Sequence, residues 1–234
     1  MLGRRKPEPV VEAVPWERVA LFSVTDLVRP STLRRKKLTG QPAVRVATMV
    51  GGVRHFAPSV LVSATREEIP SYALYDATRP ETPVCSLSPE KGGARYRVVD
   101  ASGTELGLIH RTPAAKRTIQ HGWWLQQPGH ADVVARYHWA KGGVKDVAER
   151  GVDTVVRGAG KLVEGVVDSV LSFGAADTGA GGSYVPRPIT WIAEGDEEPV
   201  ALTAGHVDGI RTYAPRASWL DRRLAFALGV LREA

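Results

Sequence analysis

The chain has 234 residues and a single cysteine, which rules out an intramolecular disulfide. That thiol, Cys85, lies in the apolar-flanked segment TPVCSL and reads as an inert core group. The six histidines (His55, His110, His121, His130, His138 and His206) fall in no HxxxH or HxH spacing that would bring two ligands together, so no metal or cofactor is expected. GxSxG, GxxxxGK[ST] and a GxGxxG placed after a strand are also missing, and the glycines at 174–182 follow a helical pattern instead of opening one. These absences exclude the familiar routes to an enzyme and point to a protein that binds.

Long apolar runs are missing too. None reaches the roughly 18 residues of a membrane-spanning helix, and MLGRRKPEPVVEAVPW lacks the apolar core of a signal peptide, so the chain reads as cytoplasmic with at most peripheral membrane contact. With 43% hydrophobic and 24% charged residues, the composition is that of a folded globular protein.

The net charge of +6 is unevenly placed. Residues 1–40 hold nine Lys or Arg against four acids, which leaves 22 basic and 21 acidic groups for the rest. Residues 1–42, with five prolines and the run Arg34, Arg35, Lys36, Lys37, read as a basic arm with one docked strand. That run is the expected contact with an anionic surface. Nucleic acid is the weaker partner for it, because no aromatic residue interleaves the basic cluster and no recognition helix is apparent.

From residue 43 onward, short apolar segments alternate with turn residues: AVRVATM, HFAPSVLVSA, SYALYD, TPVCSL, ARYRVVD, TELGLIHR, GWWLQQ and DVVARYHWA. Asp100-Ala101-Ser102-Gly103 supplies the clearest hairpin turn. Trp123, Trp124, Trp139 and Trp191 lie on these segments and read as barrel core or rim. Strands resume with YVPRPITWIAEG, PVALTAG and VDGIRTYAP.

Residues 144–173 behave differently. In rows of eleven they read VKDVAERGVDT, VVRGAGKLVEG and VVDSVLSFG, a period of about 3.67 residues that keeps one apolar stripe on a straight helix. The stripe holds Val144, Val147, Val152, Val155, Val156, Leu162, Val163, Val166, Val167, Val170 and Phe173. An inserted amphipathic helix is therefore expected within 141–183, hinged by glycine-rich ends. Its face has several destinations: the barrel wall, a second copy or another protein chain, or a membrane surface reached together with the basic arm.

The chain closes with SWLDRRLAFALGVLREA, where Ser218 is the expected helix cap and Leu224 to Leu231 are apolar throughout. A helix apolar all round belongs inside the protein.

RYRVVDASGTELGLIHR (95–111) and VALTAGHVDGIRTYAPRASWLDRRLAFALGVL (200–231) resemble the strand, Asp-x-x-Gly turn and strand, and the last hairpin and core helix, of the tubby C-terminal-like superfamily, which includes phospholipid scramblases and LURP-one-related proteins. The resemblance covers residues 43–140 and 184–234 and implies a closed antiparallel β-barrel around a buried C-terminal helix. It implies a binding or scaffold role at membranes. Without a cysteine-rich stretch or an acidic calcium loop, lipid scrambling is not expected. The rival reading is a structural or oligomerising subunit whose inserted helix docks on another chain.

Overall fold

The computed structural model describes residues 9–33, 35–117, 122–135, 188–207 and 209–234. Among them are twelve strands and one α-helix. The strands are β1 (Ser23–Arg29), β2 (Leu38–Val50), β3 (Val53–Ala64), β4 (Tyr72–Asp76), β5 (Pro83–Glu90), β6 (Arg95–Asp100), β7 (Glu105–Arg111), β8 (Trp123–Gln126), β9 (Val133–Ala135), β10 (Ile189–Ala193), β11 (Val200–Val207) and β12 (Ile210–Pro215). The helix, α1, is Arg222–Glu233.

The strands form one sheet in the order of the sequence, each antiparallel to its neighbours. The sheet curls until its two edges meet in a single bridge: the Phe22 amide donates to the Tyr213 carbonyl (2.9 Å) and the Tyr213 amide to the Phe22 carbonyl (2.7 Å). The result is mainly β, a nearly closed antiparallel barrel, and closure hides the edges that would otherwise recruit other strands. The inserted helix expected at 144–173 lies outside the described residues. Within the stretch read as the basic arm, β1 and the first part of β2 belong to the sheet.

α1 runs inside this barrel, in contact with β1, β5, β7, β8 and β12. Leu224 to Leu231 are all buried, with Phe226 and Leu228 fully so, as an all-apolar helix requires. Close approach sets two glycines. A Cβ on Gly107 of β7 would stand 2.2 Å from the Gln126 carbonyl oxygen and 3.1 Å from Leu224, and one on Gly229 of α1 would stand 3.0 Å from Val24 and 3.1 Å from Phe22. The missing side chain at residue 229 lets the helix approach β1 this closely.

The helix begins later than the sequence suggests. Asp221, not Ser218, is the N-cap, its carboxylate accepting from the Arg223 amide at 2.8 Å. Ser218 is drawn away: its amide and hydroxyl both donate to the Glu198 carboxylate, and a turn closes between Ala217 and Leu220. At the β6–β7 hairpin the expected turn is present. Asp100 Oδ1 accepts from the Ser102 amide (2.8 Å), the Ser102 hydroxyl (2.7 Å) and the Thr104 amide (2.9 Å), and Gly103 takes a φ of 85°.

Candidate functional site at the barrel mouth

The C-terminal end of α1 marks one mouth of the barrel, and three features gather there. The first is an arc of aromatic rings along the wall. Tyr72 packs on Tyr96 (6.2 Å between centroids), Tyr96 on Trp123 (6.2 Å), and the Trp191 indole donates to the Trp123 carbonyl. Trp191 continues to Tyr213 (6.4 Å), which stacks on Phe22 (5.3 Å). Guanidinium groups cover the arc: Arg111 lies over Trp123, and Arg232, in the last turn of α1, lies 4.9 Å from the Trp191 centroid. A cation at a helix C-terminus also complements the helix dipole.

Beside the arc, Glu233 Oε1 accepts from the Tyr213 hydroxyl (2.6 Å) and from Arg211 (2.7 Å). Burial works against the Arg211 charge, but Glu233 and Tyr213 hold its pKa above the ordinary value. Burial drives the Tyr213 phenol strongly upward, so it stays a donor. The neighbouring His206 is held below its ordinary pKa by burial and by Arg211, and its buried Nδ1 has no hydrogen-bond partner.

The second feature is an open groove of about 760 Å³ between the β1–β4 wall and the end of α1. Val24, Val62 and Val230 give it apolar sides, and Asp26, Tyr72 and Glu233 give it polar ones. Its lining contains two carboxylate side chains and no basic one. Tyr72 is 8% exposed, and its hydroxyl makes no hydrogen bond to any described residue. Burial raises the Tyr72 pKa, with Tyr96 adding to the effect. Under Asp26 lies Arg45, 4% exposed, whose guanidinium donates to the carbonyls of Thr25, Phe56 and Gln41 at 3.1, 3.0 and 2.9 Å. Burial lowers its pKa, and the charge of Asp26 opposes that shift.

The third feature is the β1–β2 hairpin, whose base forms one wall of the groove and whose outer part is exposed from Leu38 to Pro42. At its tip Thr32 and Arg35 bridge, with Thr32 donating to the Arg35 carbonyl (2.8 Å) and its hydroxyl accepting from the Arg35 amide (3.1 Å). Between them stands Leu33, fully exposed at 107%. Lys36 and Lys37 follow, both exposed, while Arg35 is half-buried. The buried Arg29 braces the loop by donating to the Lys36 carbonyl at 2.8 Å.

Of the residues singled out in the sequence, Arg35, Lys36 and Lys37 therefore share one hairpin tip. Arg34 lies outside the described residues, as do Val152, Val155, Val156, Leu162, Val163, Val166, Val167, Val170 and Phe173. Trp191 and Trp123 belong to the arc, Trp124 stacks on His110 at 4.1 Å away from it, and Trp139 is not described. Sequence reasoning missed Leu33, whose signal was a lone leucine beside four cations. It also missed Asp26, Tyr72 and Glu233, which no local pattern joins.

Among the described residues no group of three or more His, Cys, Asp or Glu side chains could hold a metal ion, and no helix is long and apolar enough to cross a membrane. The interior of the barrel is occupied by α1. No protein-family model, curated protein or solved structure matches this chain.

Proposed function

We propose that this protein is a non-catalytic binding module that docks on anionic membrane surfaces through the tip of its β1–β2 hairpin. The observation that carries the reading is Leu33, an exposed leucine held at a turn with Lys36 and Lys37 beside it. A leucine moved from water into an apolar phase gains about 1.5–3 kcal/mol, and each basic residue near an anionic surface adds roughly 1 kcal/mol. One apolar insertion plus several cations is the two-signal combination that makes peripheral attachment stable, where either signal alone is marginal. The Arg29 brace keeps the tip ordered before contact, so little entropy is lost on docking.

In architecture we take the chain to be tubby-like. Support comes from twelve antiparallel strands in sequence order around a buried C-terminal helix, the arrangement that the resemblance implied. The amphipathic stretch 144–173 is the second contact element in this reading.

Vesicle flotation tests the proposal. Full-length protein should float with phosphatidylserine-containing vesicles and not with pure phosphatidylcholine, and added salt should weaken capture. The double variant Lys36→Glu, Lys37→Glu and the single variant Leu33→Asp should each reduce flotation while leaving Tm unchanged. Flotation equal to wild type in both variants would discard the hairpin tip as the contact. Removing residues 144–173 in the same assay reports the helix's share.

A further inference from the structure

We infer that the barrel mouth carries a proton-operated latch: charging His206 frees the last turn of α1 from β12 and opens the seam that Phe22 and Tyr213 close. This goes beyond the docking reading and does not depend on it. Register supplies the first observation. On the β11–β12 hairpin His206 stands directly opposite Arg211. Ala204, two residues before His206 on β11, and Tyr213, two residues after Arg211 on β12, both belong to the buried core, so His206 and Arg211 turn to the same inner face of the sheet. Side chains opposite each other on one face stand about 5 Å apart at Cβ, and like charges placed there repel. A neutral imidazole suits this position, and an imidazolium does not.

The surroundings sharpen the conflict. Among the described charged groups that act on His206, Arg211 of β12 and Arg232 of α1 are positive, and Glu233 of α1 is the single negative one. Glu233 Oε1 already accepts from the Arg211 guanidinium (2.7 Å) and the Tyr213 hydroxyl (2.6 Å), while Arg232 lies over the Trp191 and Tyr213 rings. The buried Nδ1 of His206 and the buried Nε of Arg211 have no hydrogen-bond partner among the described residues, so a proton added at Nδ1 meets no acceptor in place. Burial and the two guanidinium groups hold the His206 pKa below its ordinary 6.5, against the pull of Glu233. A histidine with a depressed folded pKa stabilises the fold above its unfolded value and loses that contribution as the pH falls below it. The latch is therefore shut near neutrality and works loose as the pH falls below 6.5.

What the new charge undoes is the Glu233 brace. An imidazolium either draws the Glu233 carboxylate away from Arg211 and Tyr213 or is driven toward water with its strand, and in both cases the tie between α1 and β12 is lost. That tie matters because β1 and β12 are joined, among the described residues, by the Phe22–Tyr213 bridge alone. Tyr213 belongs to both: its backbone forms the bridge, and its hydroxyl is held by Glu233. Releasing the hydroxyl weakens the bridge, and the edges of β1 and β12 that closure hides become available for pairing. The β5–β6 ladder, which runs over six consecutive pairs, is left intact, so the opening is local.

Hydrogen exchange of the full-length protein, read at single amides and corrected for the intrinsic pH dependence of exchange, tests the inference. From about pH 7.5 to about pH 5.5, a span that titrates histidines and leaves ordinary carboxylates ionised, protection at Phe22 and Tyr213 should fall several-fold while the β5–β6 ladder keeps its own. His206→Gln, which cannot take the charge, should keep the seam protected at both pH values, and His110→Gln should open as wild type does. Glu233→Gln should open the seam already at the higher pH. An NMR titration of the wild-type protein needs no variant: the midpoint followed at the His206 ring must coincide with the midpoint of seam opening. A seam equally protected at both pH values, or acid opening that survives His206→Gln, overturns the latch. So does loss of protection shared equally by the β5–β6 ladder, a Glu233→Gln seam as closed as wild type, or two midpoints about one pH unit apart.

Discussion

Phe226 of α1 meets Phe22 edge to face, with ring centroids 4.9 Å apart, directly beside the one bridge that closes the barrel. Both rings are about 1% exposed or less. The helix therefore does more than fill the interior: it grips the residue whose backbone joins the first strand region to the last. Phe226→Ala should cost about 3–5 kcal/mol, the usual range for removing a buried phenylalanine, and urea unfolding checks it. A loss below about 1 kcal/mol would mean the helix is not the core element described above.

The two close-approach glycines should respond differently. At Gly107 a new Cβ collides at 2.2 Å with a backbone carbonyl that β8 cannot move, so Gly107→Ala should leave little folded protein. At Gly229 the contacts are a valine methyl and a ring edge near 3 Å, and alanine also gains roughly 1 kcal/mol of helix propensity. Gly229→Ala should thus lose much less stability than Gly107→Ala. Paired thermal melts decide the ranking, and a reversed order would contradict the packing.

Acid should weaken the fold partly through Asp76. This 1%-exposed carboxylate accepts from the Thr78 amide (2.8 Å), the Thr78 hydroxyl (2.6 Å) and Arg79 (3.1 Å). Burial works to raise its pKa, and these donors outweigh it, so the folded value lies below the ordinary 3.8. A depressed carboxylate contributes stability above its unfolded pKa and loses it as pH falls through the folded one. Unfolding free energy should therefore fall as the pH drops below about 4, and Asp76→Asn should be less stable at neutral pH with a shallower acid slope. An unchanged slope in the variant would assign the acid sensitivity elsewhere.

Cys85 should be silent toward thiol reagents. It is 2% exposed, and burial pushes its thiol pKa up to about 12, which leaves almost no thiolate near neutrality. Native protein should resist a disulfide reagent at pH 8 and react once denaturant opens the core. Rapid labelling without denaturant would place the residue outside the interior.

The strands were legible where alternation and turns are regular, as in RYRVVD and TELGLIHR around the Asp100 turn. β1 was harder, because its register with β2 shifts twice, between Thr25 and Leu27 and between Leu27 and Arg29, and such irregularities break the alternating pattern. α1 was visible in its eight apolar residues, but its first turn was not, since Ser218 and Asp221 are both good caps and a carboxylate about twenty residues earlier decides between them. The groove was invisible for a different reason. Asp26, Tyr72 and Glu233 come together only through barrel curvature and the length of α1, and neither is written in any local run of residues. Leu33 carried no periodicity because a hairpin tip has none.

The strands pair in chain order, so ten of the eleven ladders join segments close in sequence, and the β9–β10 ladder joins strands separated by residues 136–188. Among the strand pairings of the described residues, the Phe22–Tyr213 bridge alone spans nearly the whole polypeptide, and its backbone part is two hydrogen bonds. Such a molecule assembles like a zip that is finally fastened by one clasp. Strain, heat or a competing surface should part it first at that clasp, where amide exchange at Phe22 and Tyr213 would outpace the β5–β6 ladder and the core would be uncovered from the side of β1.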